Sequence, residues 1–165
     1  MNDMSQGQHR EPTAEQQWAQ FTALKTADDY IDSLRGRNLD VYLLGERIEE
    51  PVDHPIVRPS INAMAESYIL ADEDPDLATV WSSISKQQIN RFLHVPESAE
   101  DLVQKNKMQR RMGQLTGTCF QRCAGLDTLS VLFSITYDID KKYGTPYHQR
   151  YVNFLKRAQT NNLIV

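Results

Sequence analysis

The chain has 165 residues, of which 40% are hydrophobic and 24% charged, and its formal net charge is -4. This composition predicts one globular domain with its own core, and the acidic balance argues against nucleic acid as a partner. There are two cysteines, no apolar run approaches 18 residues, and residues 1–23 lack the apolar core of a secretion signal, so we expect a reduced, cytoplasmic protein that does not cross a membrane.

The first half of the chain predicts two helices separated by a hairpin and a loop. Residues Thr26 to Asp29 resemble a capping box, so a short helix should begin there and end at Gly36. β-Branched, aromatic and aliphatic residues predict a hairpin over 40–49, and repeated prolines predict a loop over 50–58. A second helix should start at Pro59. Its apolar stripe consists of Ile61, Met64, Ala65, Tyr68 and Ile69.

The middle of the chain gives weaker signals. The stretch after the acidic turn suggests one more helical turn, on the spacing of Leu77, Val80 and Trp81. Residues 82–96 show no firm period and should be extended or irregular. Ser98 should cap the next helix, which Gly113 and Gly117 weaken just before the cysteines.

The strongest helical signal covers Leu126 to Tyr143. Little polar surface interrupts its middle, so we expect it to be the central buried helix. Gly144 supplies a stop, and Pro146 can open the last helix. The final triplet, Leu163 to Val165, is apolar and β-prone, which we take as a sign that more polypeptide belongs beyond it. Together these elements predict a mainly helical domain with a short β-hairpin.

The two cysteines, Cys119 and Cys123, are four residues apart. On a helix this spacing places two side chains one above the other, so two thiolates there could bind one metal ion or one edge of an iron–sulfur cluster. Two thiolates do not complete the four ligands of a four-iron cluster. The histidines show no pairing with the motif; they are His9, His54, His94 and His148. Free cysteines are common in cores, and on the residues alone two core cysteines are favoured over a metal site.

A basic cluster precedes the cysteines on the helix that Ser98 should cap. It consists of Lys105, Lys107, Arg110 and Arg111. The cluster is either a solvated helix face or an anion site, and the sequence favours neither. In the proline-rich loop, His54 and Arg58 are more simply solvated polar groups. No glycine-rich phosphate loop, Ser/His/Asp arrangement or zinc-protease helix occurs in the sequence, so these residues define no reaction.

Several short motifs carry a family resemblance. They are Val52-Asp53-His54-Pro55, Arg58-Pro59-Ser60-Ile61-Asn62, Ile89-Asn90-Arg91-Phe92, Lys107-Met108-Gln109-Arg110, Cys119-Phe120-Gln121-Arg122-Cys123, Tyr143-Gly144-Thr145 and Leu163-Ile164-Val165. On these motifs, the chain from Tyr30 to Val165 resembles the N-terminal domain of the 4-hydroxybutyryl-CoA dehydratases. Those enzymes belong to the broader 4-hydroxyphenylacetate 3-hydroxylase family. Its flavin-dependent 4-hydroxyphenylacetate 3-monooxygenases resemble the chain in layout but lack the cysteine pair.

The resemblance implies a fold, a domain organisation and two cofactors. Residues 1–25 would be a polar tail and residues 26–165 the helical N-terminal domain of an acyl-CoA dehydrogenase-like fold. The flavin-binding middle domain and the C-terminal bundle would be absent from this chain. FAD and a [4Fe-4S] cluster would be held only with those domains, with Cys119 and Cys123 as two of the four cluster ligands. Arg110 would bind substrate and Gln121 would act in catalysis.

The activity that the resemblance implies is conversion of 4-hydroxybutyryl-CoA to crotonyl-CoA by a homo-oligomer, together with a vinylacetyl-CoA isomerase activity. The lone chain should be inactive, because the flavin site, the other cluster ligands and the general base would lie elsewhere. Three hypotheses stay open. The chain is a module of a split or truncated dehydratase, a non-catalytic interaction or regulatory module, or an oxygenase-component fragment of a flavin-dependent 4-hydroxyphenylacetate 3-monooxygenase. The expected partners are an acyl-CoA and the polypeptide with the missing domains.

Overall fold

The computed structural model describes residues 21–37, 39–120 and 122–165. Their elements, in chain order, are α1 (Ala27–Leu34), β1 (Val41–Leu43), β2 (Glu46–Ile48), α2 (Arg58–Glu73), α3 (Pro75–Ala78), β3 (Thr79–Ser82), β4 (Gln87–Asn90), a 3-10 turn (Arg91–Leu93), α4 (Ala99–Thr116), α5 (Cys123–Tyr143) and α6 (Tyr147–Thr160). The predicted mainly helical class is confirmed. None of the described helices combines the length and apolar character that a membrane span needs.

The first helix and the first hairpin form where the sequence predicts them. The Asp29 amide donates a hydrogen bond to Thr26 Oγ1 at 3.0 Å, and the Thr26 amide donates to Asp29 Oδ2 at 3.0 Å, which completes the capping box. Strands β1 and β2 pair antiparallel with Val41 opposite Ile48. Arg58, expected in the loop, is the first residue of α2, and it is not simply solvated, because its Nη1 donates to Asp53 Oδ1 at 2.7 Å.

Helix α2, and not the helix after Cys123, lies at the centre of the domain. Its Ile61, Ala65 and Tyr68 pack against α1 and residues 161–164, while Leu70 packs on its other side with α3 and α4. Ile69, which the sequence placed in the core stripe, is 38% exposed. Burial on two sides therefore shifts the buried positions away from a single helical stripe.

The prediction that Leu126 to Tyr143 forms the central buried helix is wrong. Within α5 only Leu126 and Leu129 are buried. Large apolar side chains further along are exposed by 38 to 58%; they are Val131, Leu132, Ile135 and Tyr137. Helix α6 covers one side of α5 through Tyr151 and Leu155, and nothing in the described residues covers the exposed apolar side. Val131, Leu132 and Ile135 fall within about 100° around the helix, and we call these three side chains the outer α5 face. Tyr137 instead lies toward α6, with its ring 5.6 Å from that of His148.

A second hairpin occupies the stretch expected to be helical and then extended or irregular, and its β4 fits the extended alternative. Helix α3 is a single turn, and Val80 and Trp81 lie in β3, which pairs antiparallel with β4 from Thr79 opposite Asn90 to Ser82 opposite Gln87. The prediction of one further helical turn is therefore right for residues 75–78 and wrong for Val80 and Trp81. β-Branched Thr79 and Val80 favour the strand over the helix.

The two ends of the described chain pack side by side. The Leu24 amide donates to the Asn161 carbonyl at 3.1 Å, and Asn162 Nδ2 donates to the Leu24 carbonyl at 2.9 Å. Leu24 is buried in the same cluster that Leu163 and Ile164 contact. Residues 21–25, which were expected to belong to a polar tail, thus reach the core. Residues 1–20 of that expected tail lie outside the described residues.

Candidate functional site

The two cysteines do not share a helix. Helix α4 ends at Thr116, Gly117 takes a left-handed φ of +60°, and α5 begins only at Cys123. Cys119 therefore lies in the connecting segment and is exposed, whereas Cys123 is the first residue of α5 and is half-buried; both thiols are free. The expectation of two cysteines one helical turn apart is wrong. So is the alternative of two core cysteines, because Cys119 faces solvent.

Two side chains anchor the segment between the cysteines on one aromatic ring. Phe120 is 9% exposed, and its ring centroid lies 5.6 Å from that of Phe92. The Arg122 guanidinium carbon lies 4.9 Å from the centroid of the same Phe92 ring. Each anchor adjoins one cysteine, so Phe92 fixes both ends of the motif. Gln121 lies between the anchors and outside the described residues, so its catalytic role stays a prediction.

Arg122 is the most deeply buried charged group of this region. It is 2% exposed, its Nη1 donates to Ser67 Oγ at 2.6 Å, and its Nη2 donates to the Leu163 carbonyl at 3.2 Å. Burial lowers the pKa of Arg122 to about 10, so the guanidinium stays charged at neutral pH. Within the described part of the chain, no carboxylate lies within ion-pair distance of it. Sequence reasoning placed Arg122 within the cysteine motif but assigned it no role.

The segment after α6 runs past this motif. The Tyr68 hydroxyl donates to the Asn162 carbonyl at 2.7 Å, one residue before the carbonyl that Arg122 binds. A Cβ added at Gly125 would lie 1.9 Å from the Val165 carbonyl oxygen, so α5 and this segment touch through backbone. We call residues 161–165 the exit segment. It is held by α2, by the cysteine motif and by the first turn of α5.

The basic cluster on α4 divides into one paired lysine and exposed neighbours. Lys105 Nζ binds Asp127 Oδ1 on α5 at 2.8 Å, with 11% of the lysine side chain exposed. Arg110 is exposed, and it lies about 200° around the helix from buried Met108. Cys123 packs against the cluster that contains Met108. The described contacts thus join Lys105, and not Arg110, to α5, and substrate binding by Arg110 stays a prediction.

A carboxylate distant in sequence lies close to the cysteine motif. Glu66 of α2 lines an open cleft of about 320 Å³ together with Thr116 and Thr118, and Thr118 directly precedes Cys119. In the sequence, the carboxylate nearest to the cysteines is Asp127, four residues after Cys123, whereas Glu66 is contributed by a different helix. Glu66 is half-buried. It is the acidic group that the fold brings to this end of the motif.

The described chain supplies at most half of a four-ligand metal site. Within residues 21–37, 39–120 and 122–165, no three His, Cys, Asp or Glu side chains are grouped so as to hold a metal ion. The histidines are occupied elsewhere: His94 Nε2 lies 3.5 Å from Asp101 Oδ2, and the His148 ring contacts Phe133 edge-on. His9 lies outside the described residues. The donor set therefore fits a cluster only as two thiolates whose co-ligands come from another part of the protein.

Comparisons with known proteins point to one group of enzymes. Residues 26–165 match the family model described as 4-hydroxyphenylacetate 3-hydroxylase N terminal. The 4-hydroxybutyryl-CoA dehydratase/vinylacetyl-CoA-Delta-isomerase of Clostridium aminobutyricum is 52% identical over 145 residues, which are 86% of this chain and 29% of that relative. The 4-hydroxyphenylacetate 3-monooxygenase oxygenase component of Thermus thermophilus is 31% identical over 85 residues, 50% of this chain and 17% of that relative.

Solved structures agree with the sequence comparison. An oxygen-tolerant archaeal 4-hydroxybutyryl-CoA dehydratase from N. maritimus is similar with a TM-score of 0.83 and 58% identity, over 85% of this chain and 28% of that chain. The oxygenase component of 4-hydroxyphenylacetate 3-monooxygenase, solved with FAD, shares the fold with a TM-score of 0.59 and 17% identity, over 86% of this chain and 29% of that one. The chain spans less than a third of the length of these relatives.

Proposed function

The chain belongs to the 4-hydroxyphenylacetate 3-hydroxylase family, and from that premise we propose that it is the N-terminal module of a 4-hydroxybutyryl-CoA dehydratase. That enzyme removes water from 4-hydroxybutyryl-CoA to give crotonyl-CoA, with a vinylacetyl-CoA isomerase activity beside it. The observation that carries the proposal is the pair of free thiols in a chain 52% identical to a dehydratase, with Cys119 in the segment that leads into α5 and Cys123 at its first residue. The lone module is inactive.

The two thiols are the part of the cofactor site that this chain contributes. We assign them as two ligands of a [4Fe-4S] cluster, with the remaining ligands and the FAD site in domains outside residues 26–165. When bound there, the cluster supplies a Lewis acid for the departing hydroxyl and FAD supplies a one-electron acceptor. Cys119 is reachable from solvent and Cys123 is held at the first turn of α5. That arrangement suits ligands at the edge of a domain, where a second domain closes over them.

Three polar residues of the chain are assigned to the substrate side. The exposed guanidinium of Arg110 binds the acyl-CoA, and the Gln121 amide between the two cysteines acts in catalysis. Glu66, half-buried in the cleft beside Thr118, offers a carboxylate acceptor to a hydroxyl or amide of the substrate. None of the three has the role of base at the α-carbon, which belongs to the rest of the enzyme.

The outer α5 face supports a larger assembly. A helix face that exposes three large aliphatic side chains, Val131, Leu132 and Ile135, is typical of a surface that another domain covers. We assign that role to the C-terminal bundle of an acyl-CoA dehydrogenase-like fold, in a homo-oligomer. The same face also favours the second candidate, a non-catalytic interaction module. The monooxygenase hypothesis is less well supported, because the identity to the oxygenase components is 31% over half of this chain in one relative and 17% in the solved structure, against 52% over 86% of the chain for the dehydratase.

Anaerobic reconstitution with iron and sulfide separates these candidates. The chain is prepared alone and together with a polypeptide that carries the flavin and C-terminal domains. We expect stable cluster absorbance and dehydratase turnover only for the combined preparation, and loss of the cluster when Cys119→Ser and Cys123→Ser are combined. Cluster binding that persists in the double variant would refute the assignment of the thiols. A combined preparation that forms a complex without cluster or turnover would favour the interaction module.

A further inference from the structure

The Arg122 side chain joins three parts of the domain at one point. It donates to Ser67 Oγ of α2 at 2.6 Å and to the Leu163 carbonyl of the exit segment at 3.2 Å, and it stacks on the Phe92 ring. An arginine buried to this extent normally has a carboxylate partner. In the described parts of the chain, the partners of Arg122 are instead a hydroxyl, a carbonyl and two aromatic rings. The planar, charged guanidinium of Arg122 thus occupies a buried position whose space a neutral side chain could also fill.

The position of Arg122 in the chain links its guanidinium to the orientation of Cys123. Arg122 directly precedes Cys123, and its own carbonyl accepts the first hydrogen bond of α5, from the Leu126 amide at 3.1 Å. Anchoring the Arg122 side chain therefore fixes where α5 begins and the direction in which Cys123 leaves the backbone. The planar guanidinium binds α2 and the exit segment at once, so neither can shift while both hydrogen bonds persist.

We propose that Arg122 is the positioning residue of Cys123 and couples its thiol to the exit segment. This inference rests on the proposed function of the cysteine pair as metal ligands and adds a regulating input to it. A displacement of residues 161–165 is passed to Cys123 through one guanidinium. Cys119, which lies beyond the Phe120 anchor and is exposed, stays outside this coupling.

Alkylation of the two thiols in the metal-free chain tests the coupling directly. Iodoacetamide is added under native conditions, and modification of Cys119 and Cys123 is followed separately by peptide mass spectrometry. The variants are Arg122→Met, which removes the charge and both hydrogen bonds, and Arg122→Lys, which keeps one charged donor. Arg150→Met, at an exposed arginine of α6, is the matched surface control. Ser82→Ala removes a buried 2.7 Å hydrogen bond to Gln159 that does not involve Arg122, and it controls for lost stability.

We expect Arg122→Met to raise the Cys123 rate by about tenfold or more, and Arg122→Lys to raise it by less, because charged hydrogen bonds oppose local opening. Cys119 should change by less than about twofold in both, and Arg150→Met should change neither thiol. Equal acceleration of Cys123 in Ser82→Ala at matched thermal stability would overturn the proposal, as would an unchanged Cys123 in both Arg122 variants.

A second variant keeps the test decisive if Arg122→Met does not fold. Tyr68→Phe removes the 2.7 Å hydrogen bond to the Asn162 carbonyl and leaves Arg122 in place. It should loosen the exit segment and raise the Cys123 rate, and an unchanged rate refutes the coupling. Because no metal is used, failure here is independent of the reconstitution experiment. If reconstitution fails and the alkylation result holds, the metal assignment is lost and the positioning of Cys123 stands.

Discussion

Two glycines within helices should respond oppositely to the same substitution. Gly113 lies in α4 with no atom within 4 Å of an added Cβ, so Gly113→Ala should stabilise the chain by about 0.5–1 kcal/mol through helix propensity. Gly125 lies in α5, where an added Cβ would be 1.9 Å from the Val165 carbonyl oxygen. Contact at van der Waals distance needs a shift of roughly 1.5 Å, and the Val165 carbonyl carbon is also too close, at 2.8 Å, so the exit segment itself must move. Gly125→Ala should therefore destabilise by about 1–3 kcal/mol despite its better propensity.

Urea unfolding monitored by circular dichroism measures both variants. With a slope of about 2 kcal/mol per molar urea, the two midpoints should differ by roughly 1–2 M, with the wild-type chain between them. A chain ending at Asn162 provides the double-mutant test, because it lacks the clashing oxygen. In that chain Gly125→Ala should lose most of its cost. If Gly125→Ala stabilises the complete sequence as much as Gly113→Ala does, the described contact between α5 and the exit segment is wrong.

Three further predictions concern other parts of the domain. Ile135→Lys on the outer α5 face should change the free energy of unfolding of the lone chain by less than about 0.5 kcal/mol but weaken its complex with the remaining domains in a pull-down titration. Leu155→Ala in the core should instead cost about 2–5 kcal/mol of stability. If Ile135→Lys binds the remaining domains as tightly as the wild-type chain, that face is not the interface. Glu66→Gln should lower turnover of the reconstituted enzyme without lowering its iron content, and exposed Glu73→Gln should change neither; equal turnover of both variants would remove Glu66 from the site. Burial raises the pKa of Tyr151 to about 12, so the folded state holds its proton more tightly than the unfolded state. The contribution of this group to stability should be unchanged below pH 10 and be lost between pH 10 and 12, and Tyr151→Phe should reduce that loss. Urea midpoints that decline equally with pH in the wild-type chain and in Tyr151→Phe would contradict this prediction.

Local signals in the sequence predicted those elements that neighbours in the chain determine. The Thr26 capping box, the first hairpin, the Ser98 cap and the Gly144 stop are all confirmed, because each depends on residues within a few positions of one another. Hydrophobic periodicity was less informative about how deeply each helix is buried in the domain. It placed α5 at the centre, because an apolar surface predicts burial without saying which polypeptide provides the cover.

The cysteine region shows why site geometry was harder to predict than fold class. The spacing of Cys119 and Cys123 fits one helical turn, but Gly117 adopts a left-handed conformation and delays the next helix to Cys123 itself. The anchors of this segment are long-range contacts: Phe92 lies about thirty residues upstream, and the exit segment about forty residues downstream. Glu66 reaches the same region from α2. Periodicity and motif spacing carry no information about such pairings, which depend on how helices pack.

The hydrogen bonds between Leu24 and residues 161 and 162 hold the two ends of the described domain next to each other. Domains whose ends are neighbours tolerate transplantation, insertion into a host chain and circular permutation. Residues 24–162 could therefore be exchanged between relatives as one unit. Such an exchange would replace one pair of thiols with another while leaving the core of the host protein intact.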